Sequence, residues 1–232
     1  GPTSILVSQV LGSKYVGAIA VAAYSYMALV PIIQPVVIKA ITTKKERLIR
    51  MPHVKAKTIS KRTRILFPIL VTLIAGLVAP MSVSLVGFLM FGNLLRECGV
   101  LKRLSETAQN EFANIITLLL GITISFSMRA EQFVTLNTLM IIILGLFAFV
   151  FDTVGGVMFA KFLNLFAKEG KKINPMIGAS GISAFPMSSR VIQKLATEED
   201  PQNFILMQAA GANVAGQIAS VVAGGLVLGL LL

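Results

Sequence analysis

The chain has no tryptophan, one cysteine (Cys98), one histidine (His53) and three tyrosines among its 232 residues. A single cysteine forms no internal disulfide, and one cysteine with one histidine builds no transition-metal site. GxSxG, Walker A and HExxH patterns are missing, which removes the common hydrolase, P-loop and metalloprotease chemistries. Charge is scarce too: 13% of residues are charged, against about a quarter in an average soluble domain. With 55% hydrophobic residues and a mean hydropathy of +0.82, neither a water-soluble globular domain nor a disordered chain fits. The 19 glycines follow no collagen period. What remains is a polytopic, all-α membrane protein, read as spans of about 20 residues crossing an apolar layer about 30 Å thick.

Net charge is +11, from 21 Lys+Arg against 10 Asp+Glu. An excess of this kind first suggests nucleic acid. Its placement argues otherwise, because ten basic residues and one acid, Glu46, lie between Lys39 and Arg64. A short polybasic loop between apolar segments marks a cytoplasmic face. It reads first as a topology determinant beside anionic lipid, and second as a dock for an acidic partner. Without tryptophan or an aromatic-interleaved basic patch, nucleic acid is dropped as a partner. The opening GPTSILVSQVLG has no Met and no basic n-region, so it is not a signal peptide and reads as a fragment or processed product.

The charge-free stretches give the spans. Tyr15–Ile38 is the first, and Pro31 and Pro35 predict a kinked or unwound cytoplasmic end. Ile65–Leu95 has Pro80 in its middle. Lys161, Lys168, Lys171 and Lys172, with Glu169, read as a second cytoplasmic loop, so an even number of crossings must lie between the two loops. Phe112–Met128 and Gln132–Ala160 supply two, and Ile65–Leu95 is then a hairpin turning near Ala79-Pro80. Arg96–Glu111 reads as an interfacial amphipathic helix. Pro201–Leu232 is a final uncharged span whose small residues permit close helix approach.

Ile173–Ser189 differs from all of these. INPMIGASGISAFPMSS is poor helix material, and irregular backbone survives at membrane depth only where protein or a water-filled cavity satisfies it. The segment 173–191 is therefore predicted to be a discontinuous or re-entrant helix. Broken helices expose carbonyls to small hard cations. The hydroxyls of Ser180, Ser183, Ser188 and Ser189 and the amide of Asn174 add neutral oxygens, although small residues also serve packing alone. Arg190 either snorkels to the interface or holds an anion such as a carboxylate. In the first span, Tyr26 lies too near the middle to be an interfacial anchor and offers a proton-exchanging phenol close to a cation. Asp152 is an acid inside a long span, either functional or half-solvated near one end. His53 reads as solvated and Cys98 as an ordinary reduced thiol.

AYSYMALVPIIQP (Ala23–Pro35), ITTKKERLIRM (Ile41–Met51), MFGNLLRECGV (Met90–Val100), NPMIGASGISAFPMSSRV (Asn174–Val191) and MQAAGANVAGQIASVVAGG (Met207–Gly225) together resemble one family. It is the β-subunit of the sodium-translocating, biotin-dependent decarboxylases of oxaloacetate, methylmalonyl-CoA and glutaconyl-CoA. The resemblance runs in order over the whole chain, 1–232. It implies a bacterial inner-membrane, multi-pass protein built from two inverted halves with broken helices. It also implies decarboxylation of carboxybiotin coupled to Na⁺ export and proton uptake. The implied partners are a carboxyltransferase and biotin-carrier α-subunit, a small γ-type membrane subunit, further β copies and the lipid bilayer. Mapped on the family pattern, Tyr26 exchanges the proton, and Asn174, Gly178 and Ser183 lie on the Na⁺ path with Tyr26. Arg190 meets carboxybiotin or counters the cation.

In the family an aspartate directly precedes the Gly-Pro-Thr with which this chain starts. The chain is thus expected to be about the C-terminal half of a β-subunit, and to need the other half for pumping. Two alternatives remain at this stage. A secondary Na⁺- or H⁺-coupled transporter shares the broken helices but not dependence on a biotinylated partner. An assembly scaffold predicts that Asn174, Ser183 and Tyr26 tolerate alanine.

Overall fold

The structure, a computed structural model, describes residues 1–51, 59–126, 134–168 and 170–232. His53 and Glu169 lie outside the described residues, as do the end of the span expected at Phe112–Met128 and the start of that at Gln132–Ala160. Among the described residues there are helices and no strands. In chain order the α-helices are α1 (Pro2–Val10), α2 (Val16–Ile41), α3 (Lys44–Arg47), α4 (Lys61–Val78), α5 (Val83–Glu97), α6 (Lys102–Thr107), α7 (Ala113–Phe126), α8 (Leu136–Phe166), α9 (Met187–Glu199) and α10 (Leu206–Leu231). Short 3₁₀ segments occupy Pro80–Ser82 and Pro175–Gly181, and a π segment Ala108–Phe112 leads into α7.

Three helices are long and apolar enough to cross a membrane: α2, α8 and α10, of 26, 31 and 26 residues. Large apolar side chains stand exposed along the helices, among them Leu77 at 84%, Phe88 at 78% and Leu230 at 86%. Water would not support so much exposed apolar surface, whereas lipid or a further protein surface would. The helix α2 runs unbroken through Pro31 and Pro35 to Ile41, so the expected unwinding is not seen. Each proline still lacks an N–H, which leaves the carbonyls of Met27 and Pro31 without their helical partners.

The chain forms two compact units. One draws on Pro2–Ala20, Lys55–Thr135 and Val221–Leu232. Here α4 and α5 pack together across a sharp turn, the hairpin shape expected for Ile65–Leu95. Pro80 causes it. A residue before proline is kept out of the helical region, and Ala79 accordingly sits at φ −141°, ψ 78°. Pro80 then starts the 3₁₀ turn, where no N–H is needed, and Ser82 Oγ donates to the Ala79 carbonyl at 2.7 Å. At the open end Arg64 pairs with Glu97 at 3.2 Å. Cys98 is partly buried and donates to the Leu95 carbonyl, a structural placement.

The other unit draws on Val21–Val54 and Leu136–Ser220. Its core joins Ile38, Val157, Met176, Ile192, Leu195, Ile205 and Ala209. A second cluster holds Val30, Ile182, Ala184 and Val191, with Met27 and Phe149 against it. The charged strap after α2 is docked, not loose. Thr43 caps α3 in a capping box with Glu46. Arg47 pairs with Glu199 at 2.7 Å, both side chains largely buried, and Lys161 pairs with Glu46 at 3.0 Å. Arg50 grips Asp200 with two nitrogens, at 2.6 and 3.0 Å.

These pairs set a pH dependence. Burial pushes the Glu46 carboxyl up, but the Thr43 N–H and hydroxyl and the Lys161 ammonium outweigh it and hold the group below its ordinary value. The Arg50 guanidinium and the Gln202 N–H hold Asp200 low against a smaller opposing effect of burial. A carboxyl lowered by folding stabilises the fold above its unfolded pKa and loses that contribution as pH falls through the folded value. Thermal stability is therefore expected to be flat from neutral pH to about 5 and to fall below about 4. Melting curves across this range would check it, and Glu46→Gln would reduce the acid-side loss.

Candidate functional site

The interrupted helix lies between α8 and α9 and is held from several sides. Asn164 of α8 pairs with Ile173 in both directions, its Nδ2 donating to the carbonyl at 2.7 Å and its Oδ1 accepting from the N–H at 2.8 Å. Asn174 then caps the 3₁₀ turn, its Oδ1 accepting from the Met176 N–H, and Pro175 fills the first position. The Asn174 Nδ2 donates to the carbonyls of Arg47 and Ile49 at 2.8 and 3.0 Å. Asn203 Nδ2 reaches the same two carbonyls, at 3.2 and 3.4 Å. The strap thereby ties down the entrance to the segment. Asn174 is fully buried, and its amide is committed to backbone groups.

Two glycine contacts bring the segment's backbone against its neighbours. A Cβ added to Gly178 would overlap the Gly156 carbonyl of α8, and one added to Gly156 would overlap that of Gly178. A Cβ on Gly216 of α10 would likewise overlap the Gly181 carbonyl. Asn213 of α10 donates from Nδ2 to the Ile182 carbonyl at 2.7 Å. Gln34 of α2 donates from Nε2 to the Ala179 carbonyl at 2.8 Å. The segment is thus a backbone ribbon clasped by three long helices, each contributing a small or amide residue in place of a bulky apolar one.

The four serines divide into two kinds. Ser188 exchanges hydrogen bonds with Gln34, and Ser189 donates to the Pro186 carbonyl at 2.8 Å. Ser180 Oγ is buried without a partner among the described residues. Ser183 is half-buried, and its N-terminal neighbour Ile182 faces the apolar cluster with Met27. Other buried oxygens also lack partners among the described residues: Asn203 Oδ1, Gln208 Oε1, Asn213 Oδ1 and Gln217 Oε1. Residues 213, 216 and 217 share one face of α10, at helical spacings of three and four. That face touches the segment at Gly181 and Ile182. Unpaired neutral acceptors in an apolar setting are costly alone and suit a small hard cation. Among the described residues no group of three or more His, Cys, Asp and Glu could hold a metal ion.

Tyr26 sits against α8. Its phenol donates to the Ile142 carbonyl, and a Cβ on Gly145 would come within 2.5 Å of the ring. The next residue, Met27, packs on the cluster of Ile182 and Ala184. Arg190 is exposed in the first turn of α9, without an ion pair among the described residues, while Val191 beside it is buried. Asp152 is exposed on α8. Sequence reasoning singled out the segment but missed Gln34, Asn213 and Gly156. The signal was there for the first two, since Gln34 is the one amide of α2 and Asn213 stands with Gln208 and Gln217 in an uncharged run.

The family model for the Na⁺-transporting oxaloacetate decarboxylase beta subunit matches residues 1–231. The chain belongs to this family. The oxaloacetate decarboxylase beta chain 2 of Salmonella typhi is 50% identical over 228 residues, covering 98% of this chain and 52% of the relative. The methylmalonyl-CoA decarboxylase subunit beta of Propionigenium modestum is 50% identical over 230 residues, or 99% of this chain and 57% of the relative. That of Veillonella parvula is 49% identical over 231 residues, with 61% of its own length covered. The chain spans little more than half the length of these β-subunit relatives. The membership expected from the five motifs is thus borne out.

Proposed function

We propose that this chain is part of the membrane subunit of a Na⁺-pumping, biotin-dependent decarboxylase, in which the interrupted segment 173–191 lies on the Na⁺ path. Family membership supports the activity. The observation that carries the site is the set of buried, unpartnered neutral oxygens, Ser180 Oγ and Asn213 Oδ1 foremost, on and beside a broken helix. Such breaks expose oxygens for Na⁺ at the midplane of transporters built from inverted repeats. The same reading makes 173–191 re-entrant and places a matching half in the whole subunit. It sets the protein in the bacterial inner membrane, with the polybasic loop 39–64 on the cytoplasmic face and 201–232 as a further crossing.

Each residue then has a role. Gly178 lets the segment meet α8, and Ser183 with Ser180 offers hydroxyl oxygens to the ion. Asn174 acts by fixing the segment's entrance, since its amide is already engaged. Tyr26 exchanges the proton. Arg190, exposed and free of an acid partner among the described residues, fits a carboxylate through its fork of donors. Carboxybiotin, presented by a carrier domain of the α-subunit, supplies the CO₂ whose release provides the free energy. The assembly includes a γ-type subunit and further β copies.

The test is Na⁺-stimulated decarboxylation by the full complex carrying Ser183→Ala or Tyr26→Phe. Losing one neutral oxygen or one transferable proton is expected to cut the Na⁺ stimulation about tenfold. Unchanged Na⁺ dependence in both variants, in complexes that co-purify intact, would remove the segment from the ion path.

A further inference from the structure

We infer that Gln34 and Ser188 are positioning residues that set Na⁺ affinity and selectivity, by clamping the backbone on which Ser180 sits. This rests on the reading of 173–191 as the ion path. Gln34 is fully buried in α2, between two prolines. Its Nε2 uses both hydrogens, to the Ala179 carbonyl at 2.8 Å and to Ser188 Oγ at 2.9 Å. Ser188, also fully buried, has one proton to give. It has the Gln34 Oε1 at 3.0 Å or the Ala179 carbonyl at 3.2 Å to accept it. The two side chains and one carbonyl form a closed polar triangle in an apolar interior.

A packing role does not account for this triangle. Leucine or methionine would fill the same place without desolvating an amide. What the amide and hydroxyl add is direction, because they hold one particular carbonyl of an otherwise irregular segment. The consequence falls on the neighbours. Gln34 Nε2 donates to the Ala179 oxygen, with the Ser188 hydroxyl within reach as a second donor, which withdraws that oxygen from an ion. The Gly178 carbonyl is packed on Gly156, the Gly181 carbonyl on Gly216, and the Ile182 carbonyl accepts from Asn213. Within this run the Ser180 hydroxyl stays buried and unclaimed among the described residues. Its place is fixed on one side by the Gln34 clamp and on the other by α10. Ion selection depends on how rigidly the coordinating oxygens hold their spacing and number. Releasing Ala179 loosens that spacing while leaving the hydroxyl present.

The experiment uses the full complex with Gln34→Leu, Ser188→Ala and Ser188→Thr, measuring decarboxylation against Na⁺ and then against Li⁺. Gln34→Leu and Ser188→Ala are expected to raise the half-maximal Na⁺ concentration about tenfold. They should narrow the preference for Na⁺ over Li⁺, with a smaller change in the rate at saturating Na⁺. Ser188→Thr, which keeps the hydroxyl, should recover most of the affinity. A purely structural pair would lower yield or maximal rate and leave half-saturation and the Na⁺/Li⁺ ratio where they were; that result overturns the clamp. If Gln34→Leu does not assemble, the Ser188→Ala and Ser188→Thr comparison decides alone. A parent complex indifferent to Na⁺ would instead overturn the ion-path reading, and the clamp with it.

Discussion

Alanine at Gly178, and equally at Gly156, is expected to abolish Na⁺-stimulated decarboxylation. The two glycines face each other across α8 and the interrupted segment, and a Cβ on either meets the backbone carbonyl of the other. Flexible side chains give way to such an overlap by rotating, but a carbonyl moves only with its chain. The Gly178 backbone is further held by the Gln34 bond to the next residue and by the Asn174 cap four residues earlier. Overpacking of this kind costs about 3 kcal/mol or more where relaxation is blocked. The segment would be displaced from α8, carrying Ser180 and Ser183 with it. Gly211→Ala is the matched control, because its Cβ meets nothing within 4 Å. There alanine should be neutral or stabilise the helix by up to about 1 kcal/mol. Melting temperatures and Na⁺ titrations of the purified complexes check both. Full activity and unchanged melting in Gly178→Ala would show that the close crossing is dispensable.

Local sequence rules located the elements better than they located their pairings. The turn at Ala79-Pro80 was legible because proline restricts its predecessor whatever the tertiary context. The break at Asn174–Pro186 was legible because its prolines, glycines and serines do not sustain a membrane helix. In α2 the unwound alternative is not seen, since the segment stays helical through both prolines. The role of Asn174 was only half visible. Its amide type suits a cation, and the structure adds bonds to Arg47, Ile49 and Met176 that the sequence did not show. The facing of Gly156 and Gly178 was invisible, because glycine at a crossing looks like glycine anywhere until its partner is known. Gln34 and Asn213 escaped for another reason. Hydropathy averages over a window, so one amide in an apolar run barely changes the mean while deciding where a backbone carbonyl is held.

Asn213→Leu separates an ion ligand from an unsatisfied core amide, with opposite expected results. Asn213 is fully buried; its Nδ2 donates to the Ile182 carbonyl at 2.7 Å, and its Oδ1 has no donor among the described residues. Leaving a buried acceptor unpaired costs about 1–3 kcal/mol. If that oxygen serves no ligand, leucine removes that penalty but strips the Ile182 carbonyl of its donor, so the melting temperature should change little and the Na⁺ response should stay intact. If Na⁺ is its partner, the variant loses one ligand and releases the Ile182 carbonyl as well. Two such losses of about 1.4 kcal/mol each raise the half-maximal Na⁺ concentration about a hundredfold. The Na⁺-dependent rise in melting temperature, which follows from binding to the folded state alone, should then vanish. The second outcome is expected, because Gln217 one turn along the same face also leaves its amide oxygen unpaired among the described residues. Two unpaired acceptors on the face that meets the broken helix are where a shared cation would recover that cost. Retained Na⁺ stabilisation in Asn213→Leu would move the ion away from α10 and leave the Ser180 and Ser183 hydroxyls to carry the path without it.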